Sequence, residues 1–503
     1  MSALAEISSL AVYPNSMVKD ESAEYGLSAT DDGPRLAVLT PNAGSPALRG
    51  FEGDRSELDG GALLVGPASP ANAAALRERL AWLRPRPLGL QTSAGFGDRL
   101  GLATPGHVRA MRAAGAGVAP IFAQQSIREM ARTSRTPRQV MDDATWGIFQ
   151  EGWRAGVGAD ADHLKTPADI DACLAVGFTF FTVDPGEFVD NRAEHAALAE
   201  LRAAAEALPA HVQPRAANLL GRSFDFEGQT VEIDEHALLK AAVKYGRAVA
   251  HVTAMYQHLV LAAGSDKCEL EISVDETEQP TTPAEHVYLA SELRRLDVRW
   301  VSLAPRYIGR FEKGVDYLSP AGVSGDVTTL EPDFALHAAI ARQMGPYKLS
   351  LHSGSDKFSV YPVAARHTRG LVHLKTAGTS YLEALRTVAA RDPVFFRAVY
   401  SFARARYDQD RASYHVSAEV ARTPRPEVLA NDDLPALLEH FDAREVLHVT
   451  FGSVLTTRDE QGAKPYYNRL MHLLRTHAEA YAANLERHFV RHLQPFTTAG
   501  TAD

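Results

Sequence analysis

From about residue 88 to residue 390, short apolar runs alternate with stretches of helical periodicity, the pattern of a parallel sheet covered by helices. Seven runs read as strands, at 88–91, 118–122, 178–183, 269–274, 298–303, 347–352 and 370–374, and a weakly apolar stretch near Val157 supplies an eighth. The segments 283–296 and 332–344 repeat apolar residues at helical spacing, with Pro at or near the start where its missing N–H costs nothing. Eight strand–helix units predict an α/β protein closed as a TIM-type (β/α)8 barrel. An open dinucleotide-binding sheet alternates in the same way. However, Gly115-Ala116-Gly117-Val118, the closest approach to its glycine fingerprint, precedes a strand instead of following one.

The pattern also divides the chain. Residues 1–85 carry β-like pieces at 36–39 and 62–65 and read as an N-terminal elaboration packed on the barrel, which itself covers 86–392. Uneven spacing at about 190–265, with a hairpin-like piece at 224–230, reads as an insertion between the fourth and fifth strands. From 393 to 503 the chain is mostly helical and ends in an amphipathic segment at 466–493, suited to covering the barrel or supporting a homo-oligomer.

Composition narrows the partners. A 45% hydrophobic chain with 23% charged residues can bury a large core, and a formal charge of −10 offers no cationic field for nucleic acid or an anionic membrane. A small anionic substrate remains compatible, because a few local Lys or Arg side chains suffice to hold a carboxylate. Cys173 and Cys268 have no metal-binding spacing and read as core thiols. No signal peptide or membrane-length run is evident, so the cytoplasm is the simplest compartment.

Barrel chemistry gathers where the strands end, so the reactive groups are expected there. His163, His352 and His373 each fall near a different strand end, and closure of the barrel is expected to bring them round a divalent cation. Zinc, manganese, nickel, iron and cobalt all suit imidazole, and a structural, hydrogen-bonded role stays open for each ring. His448 is the reserve ligand. Asp160 and Asp162 crowd beside His163, and Glu271 is a carboxylate on an otherwise apolar strand, so Asp162 and Glu271 are the candidate acid–base groups. Lys357, Ser353, Lys375 and Arg306 are the candidate substrate-binding groups, with Arg128 a further cation. No nucleotide cofactor is expected.

The segment Leu351-His352-Ser353-Gly354-Ser355-Asp356-Lys357-Phe358-Ser359-Val360-Tyr361-Pro362 resembles a motif of the tagaturonate epimerase family, as does His373-Leu374-Lys375-Thr376-Ala377-Gly378-Thr379-Ser380-Tyr381. Shorter matches at Gly97-Asp98-Arg99-Leu100-Gly101, Asp162-His163-Leu164-Lys165 and His448-Val449-Thr450-Phe451-Gly452-Ser453 extend the likeness over nearly the whole chain. The resemblance implies a divalent-metal enzyme interconverting tagaturonate and fructuronate, with relatives acting on tagatose and fructose. It implies metal ligation by His163 and His352 with His373 or His448, and proton transfer by Asp162 and Glu271. C4 of a 2-keto sugar is β to the carbonyl, so its C–H is not acidified, and inversion is expected by retro-aldol cleavage of C3–C4 and re-addition. Transient oxidation at C4 would need a nicotinamide for which no binding fingerprint exists. A class II aldolase and a non-catalytic barrel subunit regulating an aldolase are the alternatives.

Overall fold

A computed structural model of the chain describes residues 4, 10–30, 33–42, 44–59, 61–214 and 219–497. Near the N-terminus the strands β1 (Val18–Lys19), β2 (Glu24–Ser28), β3 (Arg35–Thr40), β4 (Asp54–Leu58) and β5 (Gly61–Pro67) form an antiparallel sheet in the order β1-β2-β3-β5-β4. Eight parallel strands then close the barrel: β6 (Ser93–Gly97), β7 (Ala119–Ser126), β8 (Gly158–Leu164), β9 (Phe180–Val183), β12 (Glu269–Ser273), β13 (Ser302–Ala304), β14 (Lys348–Leu351) and β15 (Val372–Lys375). Closure is by the pairing of β15 with β6, in which His373 faces Ser93 and Lys375 faces Gly95. Between β9 and β12 the chain adds a hairpin, β10 (Arg222–Phe226) with β11 (Gln229–Ile233), and a 29-residue helix, Glu235–Ala263, capped by the Asp234 side chain.

Two features depart from the hydrophobic pattern. The first barrel strand does not lie at 88–91, where Gly89 sits in a left-handed turn, but at Ser93–Gly97, a run of mostly small residues. Small side chains are required there: a Cβ on Gly95 would lie 2.8 Å from Cγ of Gln124, and one on Gly97 would lie 2.6 Å from the Ala377 backbone. The long C-terminal segment is two helices, Pro465–Thr476 and Ala478–Thr497, joined at His477.

One continuous apolar core links the parts, running from Leu36 and Leu64 in the N-terminal sheet through Leu374 in the barrel to Phe489 and Leu493 of the last helix. That helix packs on Thr104–Ala114, where Gly106 leaves the space that Leu485 fills. Among the described residues no helix is long and apolar enough to cross a membrane.

Candidate active site at the barrel mouth

Successive strand residues alternate between the barrel interior and the helices, so residues two apart share the interior. Asp160 and Asp162 on β8 do so, as do His373 and Lys375 on β15, and this register explains the polar residues inside otherwise apolar strands. Lys375 is the hub. Its Nζ lies 2.6 Å from Asp162 Oδ1, 2.7 Å from Glu271 Oε1, 3.0 Å from Asp160 Oδ2 and 2.6 Å from the Thr182 hydroxyl. Burial alone would favour the neutral amine, but the three carboxylates outweigh it and raise the pKa of Lys375 well above the ordinary lysine range. The same contact, with the imidazoles beside it, holds Asp162 and Glu271 in their ionised forms.

Two imidazoles stand beside this cluster. The His352 ring places Nε2 2.7 Å from Glu271 Oε1 and Nδ1 3.2 Å from Asp275 Oδ1. His163 places Nδ1 3.3 Å from Asp184 Oδ2 and Nε2 3.9 Å from Asp162 Oδ1. The ring centroids are 5.1 Å apart at 70°. His163 reaches this position because its backbone is left-handed (φ 53°), within an irregularity of the β8 to β9 register. Such a conformation in a residue with a bulky side chain is strained and occurs mostly where a site requires it. Burial would discharge both rings, yet Asp275 and Glu271 raise His352 to about 10, and Asp162 and Asp184 raise His163.

This donor set fits a divalent cation. One atom each from Asp162, His163 and His352 lie within 4.8 Å of one another, with Asp162 and His352 buried and His163 partly so, and Glu271 Oε2 is a buried oxygen without a hydrogen-bond partner. Each imidazole has its Nδ1 on a carboxylate, the arrangement that orients Nε2 toward a metal. Among the described residues, the six carboxylates Asp160, Asp162, Asp184, Glu271, Asp275 and Glu276 form ion pairs with Lys375 and Arg128 as their only lysine or arginine partners, so the mouth carries an excess of negative charge that favours a cation.

The expected trio of imidazoles is not formed. His373 lies two residues before Lys375, deeper in the barrel, with Nδ1 2.9 Å from the Ser93 hydroxyl and Nε2 3.7 Å from Asp160 Oδ2. Burial lowers its pKa, as for a neutral core imidazole. His448 is also apart, with Nε2 3.2 Å from the Arg99 guanidinium. Lys357 does not face the mouth: its Nζ donates to the carbonyls of Val315, Glu312 and Ser355 at 2.6, 2.7 and 3.0 Å, which ties down the loop after β13. Lys375 is enclosed by carboxylates and has no free face for a substrate anion. Ser353 and Arg306 do line the mouth, in a cleft of about 430 Å³ whose floor includes His352, Asp275 and Glu276. Arg128 lines it too, ion-paired to Glu276 at 2.7 Å.

Several contributors have no role assigned to them from the sequence. Asp184 and Asp275, one and two residues past a strand end and so among the polar strand-end residues of the barrel, orient the two imidazoles. Tyr414, Val416 and Ser417, from the C-terminal region, form the far wall of the cleft, and no strand end marks them. Asp356, four residues past His352, accepts from His488 Nε2 at 2.6 Å and is ion-paired with Arg444 Nη2 at 3.0 Å, while its own N–H donates to His492 Nε2 at 3.0 Å. The loop carrying His352 is thereby moored to the last helix.

An eight-stranded parallel barrel whose mouth gathers paired imidazoles, a buried ammonium and several carboxylates defines a barrel enzyme with acid–base machinery for a small polar substrate. Its residues 13–496 match the family model of tagaturonate epimerase, and the chain belongs to that family. It is 41% identical over 482 residues to the tagaturonate/fructuronate epimerase of Thermotoga maritima, an alignment covering 96% of each chain. It also superposes on crystal structures of fructuronate-tagaturonate epimerase from Cohnella laeviribosi. The native form gives a TM-score of 0.90 at 34% identity over 98% of this chain and 99% of the other. A form with one glycerol gives 0.90 at 35% identity over 98% and 97%. The chain is accordingly an enzyme of the isomerase class, a carbohydrate epimerase.

Proposed function

We propose that this epimerase inverts C4 of a 2-keto hexuronate, interconverting tagaturonate and fructuronate, with a divalent cation held by His163, His352 and the neighbouring carboxylate of Asp162. The observation that carries the reading is the meeting of Asp162 and Glu271 on one buried ammonium, directly beside the imidazole pair. The relatives named above supply the substrate pair. When bound there, a cation of this kind supplies Lewis-acid polarisation of the ketone.

The protein's own groups account for the proton movements. One of the two carboxylates accepts the C4 hydroxyl proton while the C3–C4 bond opens, its electrons passing into the C2–C3 enediolate and C4 becoming an aldehyde. The aldehyde turns over, the Lys375 ammonium passes a proton to the second carboxylate as it recovers the one taken up by the first, and C3–C4 re-forms on the other face of the aldehyde as the second carboxylate gives that proton to the C4 oxygen. Lys375 touches both carboxylates, so it keeps each ionised and links the two as protons are exchanged. Ser353 and Arg306 on the cleft wall receive the remaining sugar oxygens. A cytoplasmic setting is part of the same proposal and agrees with two free cysteines.

Incubating the protein with fructuronate, with and without chelator, tests this reading. C4 inversion that disappears on verified metal removal and returns with added metal is expected. Full activity after metal removal defeats the metal assignment. Stoichiometric three-carbon fragments in place of the epimer would make the protein an aldolase.

A further inference from the structure

Among the described residues lining the cleft, one cation makes no ion pair or hydrogen bond. Lys313, on the loop after β13, is half-buried and lines the cleft together with His352 and Ser353. Among the described residues its ammonium has no hydrogen bond or ion pair. The arginines on the same walls are engaged: Arg128 with Glu276, Arg306 with the Thr277 carbonyl, and Arg310 facing Glu312 at 3.9 Å. The adjacent Glu312 turns its Oε2 to the N–H and hydroxyl of Ser417, at 2.8 and 2.7 Å, and leaves Lys313 alone. The Lys313 charge is nevertheless felt inside the barrel. Burial would raise Glu129, but Arg99 and, behind it, Lys313 hold that carboxyl below its usual range, and Glu129 in turn feels Asp162.

The acidic floor sets the geometry of binding. A substrate carboxylate is repelled by Asp275 and Glu276 at the bottom of the cleft, so the anionic end of a hexuronate must be held on the outer wall while its keto end meets the imidazoles. We propose that Lys313 binds the substrate carboxylate there and selects a hexuronate over a neutral ketohexose. This inference rests on the epimerase reading above and names the group that would decide its substrate class.

The test compares wild type, Lys313→Met and Lys313→Arg with fructuronate and with fructose. In Lys313→Met the ratio of kcat/KM for fructuronate to that for fructose should fall roughly 10- to 100-fold, the worth of one charge-assisted hydrogen bond, through KM and not kcat. Lys313→Arg should recover most of the loss. Calorimetric titration with galactonate, a non-reacting sugar acid, is the second readout: bound by wild type, it should be lost in Lys313→Met. An unchanged ratio, or equal galactonate binding by wild type and variant including none by either, overturns the assignment. A wild type that binds galactonate but inverts neither sugar overturns the reaction while leaving Lys313 as an anion site.

Discussion

Behind the cleft wall, Glu445 on the helix Phe441–Val449 faces Glu312, and its Oε2 accepts from the Ala418 N–H at 2.9 Å. Burial, and after it the Glu312 carboxylate, raise Glu445 to about 9, so at neutral pH it carries the proton that lets the two acids lie together. The unfolded chain has no such constraint and gives up this proton in the ordinary carboxyl range. Between that range and pH 9 the native state therefore holds one proton more than the unfolded state, and stability must fall as pH rises. The loss is at most about 1.4 kcal/mol per pH unit for one proton. Glu445→Gln keeps the shape, keeps a donor for Glu312 and removes the titration. Unfolding free energies from denaturant titrations at pH 6, 7 and 8 should show wild type losing ground to the variant by roughly 1 kcal/mol for each unit. Parallel profiles for the two proteins, or wild type gaining on the variant as pH rises, would refute the shared-proton account.

Other expectations concern the mouth itself. Lys375→Met leaves Asp160, Asp162 and Glu271 buried without their counter-ion, so activity should vanish and unfolding stability should drop by about 3–5 kcal/mol. His352→Ala should lose both turnover and metal measured by elemental analysis while circular dichroism stays native, whereas His373→Asn should still bind one equivalent of metal. Retained metal in the first, or lost metal in the second, reverses the ligand assignment. Asp184→Asn, which weakens the orientation of His163, should lower metal affinity roughly 10- to 100-fold in a competition titration with a chromogenic chelator.

The barrel was legible because six of its eight strands, helix-covered on the outer face, are apolar enough to stand out, and the two weakest signals have a chemical cause. The strand β8 reads Gly-Ala-Asp-Ala-Asp-His-Leu because its inner face carries the acids of the site. In β6 apolar bulk is excluded by Gln124 and Ala377. Site residues were legible only as far as strand register was. The tetrapeptide His-Leu-Lys-Thr occurs at 163–166 and again at 373–376, yet the two histidines stand at different depths. In the first copy a left-handed backbone at His163 swings the ring to the mouth. The second copy runs as regular strand to Lys375, so the histidine stays below and the lysine takes the upper position. Side-chain identity and spacing are the same in both, and the difference lies in backbone torsion, which spacing does not report. Lys357 misled for a related reason: a lone cation after a Ser-Gly-Ser turn looks like an anion clamp until three carbonyls close round it.

The mooring of Asp356 to His488 and His492 gives catalysis a place in the life of the chain. Strands of the barrel leave the ribosome first, but the turn presenting His352 acquires its anchor only when Ala478–Thr497 has emerged and docked. A molecule without that helix would hold His163, Asp162 and His352 and still lack the framework that aims the last of them. Competence therefore depends on the docking of Ala478–Thr497 as much as on closure of the barrel.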